Sequence, residues 1–322
     1  MVFFERGENF MENILKTKEL INSLLENKQY DTNYEPVYIN TNENIDGYMS
    51  KLNFSNKNNC LSVLSGGDHI FNASLYGIKN IDTFDINKLT EYFTLGLKRS
   101  AIITFNYNEF INFINKLTNP FTTLTEIFDL INLIIPNMDN KYRIFFKEIM
   151  DYLYKLSNNN QNLFYIFIKD SYKLEGYMVN TYLKNEENYN LLKNNLSKTN
   201  ITFKNCDLTL LTNYFNKQYD FIFLSNILDY FFYKYGNNWN YQKLQELEKY
   251  LTPLLNNDGI LALHYIYNYY YKFGNRYKDI LINSSCIRSF NLTNENIITF
   301  EHVYKNQLEK NIDAGLMYIK KH

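Results

Sequence analysis

Residues 61–87, LSVLSGGDHIFNASLYGIKNIDTFDIN, constrain the fold more than any other stretch of this chain. An apolar run ends in Ser65-Gly66-Gly67-Asp68, a short amphipathic segment stops at Gly77, and a second apolar run ends in Asp85. The order is strand, glycine turn, helix, strand, acid, which is the first half of a nucleotide-binding βαβ unit. Glycines in such a turn let the backbone approach a ligand and take conformations that a Cβ disfavours. The helix start behind them offers N–H groups to a carboxylate or phosphate. Asp85 lies 85 − 67 = 18 residues beyond Gly67. At that spacing a strand-end carboxylate reaches a ribose diol; the competing reading is a cap for the next helix.

The remaining chain is read against this unit. Residues 1–50 form an N-terminal helical segment, with Ile14, Leu15, Leu20, Ile21, Leu24 and Leu25 at roughly helical spacing. Within it, residues 44–48 (NIDGY) either lie over the mouth of a ligand site or connect elements at the surface. Residues 51–108 form the first half of a Rossmann-like domain. Here Asn87 caps a helix to about Ala101, carrying Leu89, Phe93 and Leu97 on one face, and residues 102–105 (IITF) read as a third short strand. Residues 109–184 form a helical insertion broken at Asn119-Pro120 and Pro136, longer than an ordinary βα connection.

Residues 185–322 supply the second half. Asn185 caps a helix with Leu191, Leu192 and Leu196. Residues 201–206, 219–225 and 260–267 read as strands, with a helix ending near Pro253 and a turn at Asn257-Asp258-Gly259. Residues 297–303 and 315–320 are two late strands. Strands alternating with helices specify an α/β fold: a Rossmann-like, mostly parallel sheet with helices on both faces. Its ligand site lies at the carboxyl ends of the strands.

The residues closing the apolar runs therefore carry the chemistry. Asp207 faces an adenine amino group, with Cys206 and Leu208 flanking the ring, or is a turn aspartate. Ser225-Asn226 ends the 219–225 strand, and Asn226, Asp229 and Tyr230 face the reacting end of a ligand; Asp229 and Tyr230 otherwise decorate a helix surface. His69 sits beside the glycine turn and is the histidine placed for acid–base work. His264, inside the LALHY strand, reads as a satisfied core residue. The four histidines are dispersed and no HExxH occurs, so no metal site is expected. GxSxG and Walker patterns are absent.

The order LSVLSGGD, IDTFDIN, CDL, YDFIFLSNIL, LLNNDGILALHY resembles class I S-adenosylmethionine-dependent methyltransferases. SGGDHIFNASLYG followed by IDTFDINKLTEYFTLGLKRSAI is similar to the enzymes that move 3-amino-3-carboxypropyl from S-adenosylmethionine onto diacylglycerol, and to related bacterial proteins with an NENIDGY-type segment. The resemblance covers roughly residues 40–110 and 185–267. It implies S-adenosylmethionine as cofactor on a sheet of the class I methyltransferase type. It further implies methionine-end contacts at Ser65, Gly66, Gly67 and Asp68, ribose contact at Asp85, adenine contacts at Ile86 and Cys206–Leu208, and transfer near Ser225 and Asn226. Two departures stand out. Val63 occupies the place of an acid ahead of the glycines, and His69 replaces the last glycine of the pattern.

The function expected is transfer from S-adenosylmethionine, led by a methyltransferase-like reaction. The alternative is 3-amino-3-carboxypropyl transfer. An interaction module on the same fold, working through its tyrosine-rich helices, is the reading from another class. The acceptor is a small molecule, lipid or natural product; an alcohol acceptor needs a base, for which Asp229, Tyr230 and His69 are candidates. There is no Asn/Asp-Pro-Pro-Tyr segment after the YDFIFLS strand and no Pro-Cys nucleophile, which disfavours base methylation. A net charge of −1 gives no reason to expect a nucleic-acid partner. No run approaches a membrane span. Three scattered cysteines without a CxxC pair point to a reducing, cytoplasmic location.

Overall fold

The computed structural model describes residues 10–157, 162–169, 179–229, 241–266, 286–301 and 312–320. These fall into two compact units, each discontinuous in sequence. One is built on a sheet and takes Asn42–Val63, Asp68–Asp85 and Leu174–His322; the other is helical and takes Met1–Thr41, Leu64–Gly67 and Ile86–Lys173.

The sheet unit contains seven strands: β1 (Asn59–Val63), β2 (Asn80–Asp85), β3 (Asn200–Asn205), β4 (Tyr219–Phe223), β5 (Leu255–Ile266), β6 (Ile297–Glu301) and β7 (Ile312–Ile319). Their order is β3-β2-β1-β4-β5-β7-β6. The first five run parallel, and β7 is antiparallel to both β5 and β6. A reversed seventh strand between the fifth and sixth gives the Rossmann-like methyltransferase fold. The central strands are apolar on both faces, as burial under helices requires: every residue of β4 is buried. Edge strand β3 alternates instead and places Lys204 at the rim, a charge that discourages pairing with another chain.

The two faces of this sheet differ. Leu61, Ile222, Leu224, Leu261 and Leu263 pack with Leu244, Leu247 and Leu251 of the helix Tyr241–Leu251. The opposite face is aromatic: Phe221 and Phe223 stack at 5.7 Å, and Tyr48, Tyr265 and Phe300 lie 5.6–6.4 Å apart. Tyr48 belongs to a short helix, α2 (Ile45–Met49), which Asn44 caps by accepting the Gly47 N–H at 2.9 Å. The eight-residue α3 (Asp68–Leu75) is buried throughout. It is tied to residues 180–181 by Asn72, which donates to Asn180 and accepts from the Thr181 N–H.

In the helical unit, α1 (Phe10–Leu25) packs against α7 (Asn140–Leu156). Between them in sequence run α4 (Arg99–Thr104), α5 (Tyr107–Leu117) and α6 (Leu124–Ile134). Capping boxes Asn106/Glu109 and Thr123/Glu126 start α5 and α6 and satisfy N–H groups that a helix start leaves orphaned. Phe93, Phe146, Phe164 and Phe167 form an aromatic core.

Two local expectations are corrected. Residues 102–105 are not a strand. Arg99–Thr104 continues a helix that buries Ser100, Ala101 and Ile102, and Thr104 Oγ1 donates back to the Ser100 carbonyl at 2.7 Å. The β-branched residues were legible as a strand only without that register. Asn257-Asp258-Gly259 is not a free turn but a bulge inside β5: Tyr219 pairs with Leu255 while Phe221 already pairs with Ile260. Asp258 takes φ +56° there, and its N–H reaches the Lys320 carbonyl at 3.0 Å.

Candidate functional site

In a sheet ordered 3-2-1-4-5 the winding reverses between β1 and β4, and a ligand crevice opens at the carboxyl ends of those strands. Within the sheet unit three polar side chains converge at that point. Ser225, which follows β4, has φ +58°, a conformation costing about 1–3 kcal/mol for a residue with a Cβ. Its hydroxyl donates to Glu43 Oε1. The other carboxylate oxygen, Oε2, lies 3.4 Å from His69 Nε2 in the first turn of α3. Glu43 is 1% exposed and His69 4% exposed, so these two are held out of water, with Ser225 half-buried beside them. His69 Nε2 makes no hydrogen bond among the described residues. Its ring forms a triangle with those of Phe223 (5.9 Å) and Tyr48 (6.3 Å), which are 6.5 Å from each other. The Asn44 N–H donates to the Tyr265 hydroxyl, which donates to Asp313. Residues 42–48 are thus pinned to the strand ends.

The remaining sequence candidates in this unit are placed as follows. Asp68 is buried and accepts the Tyr182 hydroxyl at 2.7 Å, so it anchors α3. Asp85 closes β2 half-buried, and its carbonyl accepts from Cys206 N and Asn205 Nδ2. Burial pushes the Cys206 thiol up to about 11, helped by the charges of Asp207 and Asp85. One oxygen of Asp207 caps the following turn by accepting the Thr209 N–H and hydroxyl, and Leu208 is buried beside it. Asn226 Oδ1 is 3.4 Å from Ser225 Oγ. Asp229 Oδ1 lies 3.7 Å from His264 Nε2. His264 is buried, but Nδ1 has no hydrogen-bond partner among the described residues; it is a core histidine and not a satisfied one. Burial depresses its pKa to about 4. Tyr230 lies outside the described residues, as do His302 and His322.

The glycine turn belongs to the helical unit. Ser65 and Gly67 take φ +42° and +80°, and the Gly67 N–H closes the turn on the Leu64 carbonyl at 2.8 Å. Gly66 is required by a close approach: an added Cβ would sit 3.1 Å from the Tyr38 carbonyl. Lys98, 1% exposed, binds the crossing together, donating to the Ile39 and Gly66 carbonyls (2.6 and 2.8 Å) and to Asn40 Oδ1 (3.0 Å). Thr94 Oγ1 takes the Ser65 carbonyl at 2.7 Å. Both come from a π-helical stretch, Glu91–Lys98. Such wide turns often mark functional positions. Ile86 is 43% exposed.

Glu43, Tyr182 and Lys98 were not legible as site residues. Glu43 sits inside NENIDGY, ahead of the first strand, where the only signal was an acid in a segment of turn formers. A lysine following Leu97 reads as surface, and nothing local announces three buried acceptors. Among the described residues no three His, Cys, Asp or Glu side chains group as metal ligands, and no helix is long and apolar enough to cross a membrane.

No protein-family profile matches the chain, and no curated protein matches it. Among solved structures, an rRNA methylase from Streptococcus thermophilus aligns with 82% of this chain and 89% of its own, at 8% identity and a TM-score of 0.31. A likeness of that size adds nothing to what the strand order already shows.

Proposed function

We infer that this chain binds S-adenosylmethionine and transfers a group from it, with methyl as the leading group and 3-amino-3-carboxypropyl as the alternative. The observation that carries this reading is the sheet order, with its winding reversed between β1 and β4. It supports a nucleotide-type ligand at the strand ends, where Asp85, Cys206–Leu208 and Ser225–Asn226 stand. Left-handed backbone at Ser225 after β4 supports it further, because strain in residues with a Cβ collects at ligand sites.

The sulfonium makes each attached carbon electrophilic. The protein then has to align an acceptor with one of those carbons and keep water away. In this reading Asp85 takes the ribose diol and the aromatic sheet face excludes solvent. The low pKa of His264 keeps it neutral near pH 7. The acceptor is a small molecule, lipid or natural product.

Titration calorimetry with S-adenosylhomocysteine tests the reading. The wild-type chain is expected to bind, and Asp85→Ala to bind about 10–100-fold more weakly, the worth of hydrogen bonds to a charged group. No binding at millimolar ligand, with Asp85→Ala indistinguishable from wild type, overturns it. Product analysis separates the two chemistries: S-adenosylhomocysteine reports methyl transfer, and 5′-methylthioadenosine reports aminocarboxypropyl transfer.

A further inference from the structure

We propose that Thr94 and Lys98 are positioning residues that set the glycine turn for the cofactor's amino-acid end, an inference that rests on the S-adenosylmethionine reading above. Both come from the π-helical stretch Glu91–Lys98, and they take successive carbonyls of the turn. Thr94 Oγ1 donates to the Ser65 carbonyl at 2.7 Å, and Lys98 Nζ donates to the Gly66 carbonyl at 2.8 Å. These peptides are trans, and in a trans peptide the N–H points opposite to the C=O. Anchoring the Ser65 carbonyl therefore turns the Gly66 N–H away from the π-helical stretch. Anchoring the Gly66 carbonyl fixes the Gly67 N–H in the same way, and that group closes the turn on Leu64 at 2.8 Å. One N–H holds the turn shut while the one before it keeps a single direction. A donor aimed at an anionic ligand group works best when it is fixed before the ligand arrives.

The chemistry of Lys98 favours this role over packing alone. The side chain is 1% exposed, and an apolar one would fill the same space without the cost of desolvating an ammonium. What the ammonium adds is three N–H donors at one point. Besides Gly66 they reach the Ile39 carbonyl at 2.6 Å and Asn40 Oδ1 at 3.0 Å. The turn is thereby tied to residues 39–40, against which it already presses, since a Cβ on Gly66 would sit 3.1 Å from the Tyr38 carbonyl. The clamp also has a firm base. Tyr92 of the same stretch stacks on Phe145 of α7 at 4.0 Å, and a Cβ on Gly96 would meet the Tyr142 ring at 2.9 Å. Four residues apart, Thr94 and Lys98 share a helix face, so one element delivers both donors.

The test is titration calorimetry on the full chain with two probes, S-adenosylhomocysteine and 5′-methylthioadenosine. The second keeps the adenosine and the sulfur but lacks the amino-acid chain. Thr94→Val keeps the shape of the side chain and removes its hydroxyl. Its affinity for S-adenosylhomocysteine is expected to fall about 5–10-fold, with affinity for 5′-methylthioadenosine within about twofold of wild type. Thr94→Ser keeps a hydroxyl and is expected to bind both probes within about twofold of wild type. Lys98→Met is expected to show the selectivity of Thr94→Val at about 30-fold or more. Thr94→Val decides the matter if Lys98→Met does not fold. Unchanged S-adenosylhomocysteine affinity in Thr94→Val, equal weakening of both probes, or a Thr94→Ser that binds as Thr94→Val does overturns the positioning role and leaves the cofactor reading standing. A wild-type chain that binds neither probe overturns both.

Discussion

His264 carries the clearest residue-scale expectation. Burial lowers its pKa from 6.5 to about 4, and the partly exposed Asp229, 3.7 Å away, does not offset this. A depressed histidine is neutral in both states at high pH, so its effect on stability is level there. Below the unfolded value the unfolded chain takes up a proton that the folded chain refuses, and stability falls until the folded value is passed. Between pH 7 and 4.5 the loss from this group is about 2–3 kcal/mol. Urea denaturation of wild type and His264→Leu at both pH values measures it. The wild type is expected to lose more stability than the variant over that interval, and equal losses would contradict the assignment. The sequence placed His264 in the core correctly, because an apolar strand surrounds it. It did not show that Nδ1 has no hydrogen-bond partner among the described residues, which depends on what the fold brings opposite that ring. Asp207 illustrates the same limit, since its cap on Thr209 is local and readable, whereas Glu43 meets Ser225 and His69 only through long-range topology.

At the scale of elements, the amino ends of the strands are stapled by one side chain. Asp220 of β4 accepts the N–H groups of Asn58 and Asn59 at 2.8 and 2.9 Å, and the Asn256 amide at 2.9 Å. Burial raises its pKa, but the N–H groups of Asn59 and Asn58 and the Asn256 amide outweigh that and hold it below the usual range. Asp220→Ala strands two backbone donors at the start of β1. It is expected to cost about 2 kcal/mol in urea unfolding and to leave S-adenosylhomocysteine affinity unchanged, because the staple lies at the opposite strand ends from Ser225. Asn185 was read as a cap because its partner lies three residues away; the capping boxes Asn106/Glu109 and Thr123/Glu126 are just as local and were not read. The π-helical stretch was not legible, because its geometry answers to tertiary demands. Gly96 within it admits the Tyr142 ring, which an added Cβ would meet at 2.9 Å. The bulge at Asp258 was hidden for the same reason, its N–H being satisfied by Lys320, just past the end of β7.

For the whole molecule, ligand binding is linked to stability. A ligand at about 100 times its Kd adds about 2.7 kcal/mol to the folded state, which for a chain of this size raises the melting temperature by about 4 °C. S-adenosylhomocysteine is expected to produce that shift in wild type and a smaller one in Asp85→Ala at the same concentration; calorimetric scans read both. The alternation of strands and helices, the glycine turn and the strand-end acid were legible because each is local in sequence. The reversal of β7 was not, since an apolar run carries no direction of pairing. The interleaving of the two units in sequence has a consequence for how the chain is made. Cys60 of β1 has one neighbour in Ile81, close behind it, and another in Phe221 of β4, far ahead. A ribosome releases β1 and β2 long before β4 exists, and the intervening segment up to Lys173 completes the helical unit first. Through that interval the apolar edge of β1 stands open, a surface on which chaperones or misplaced strands compete with the native partner.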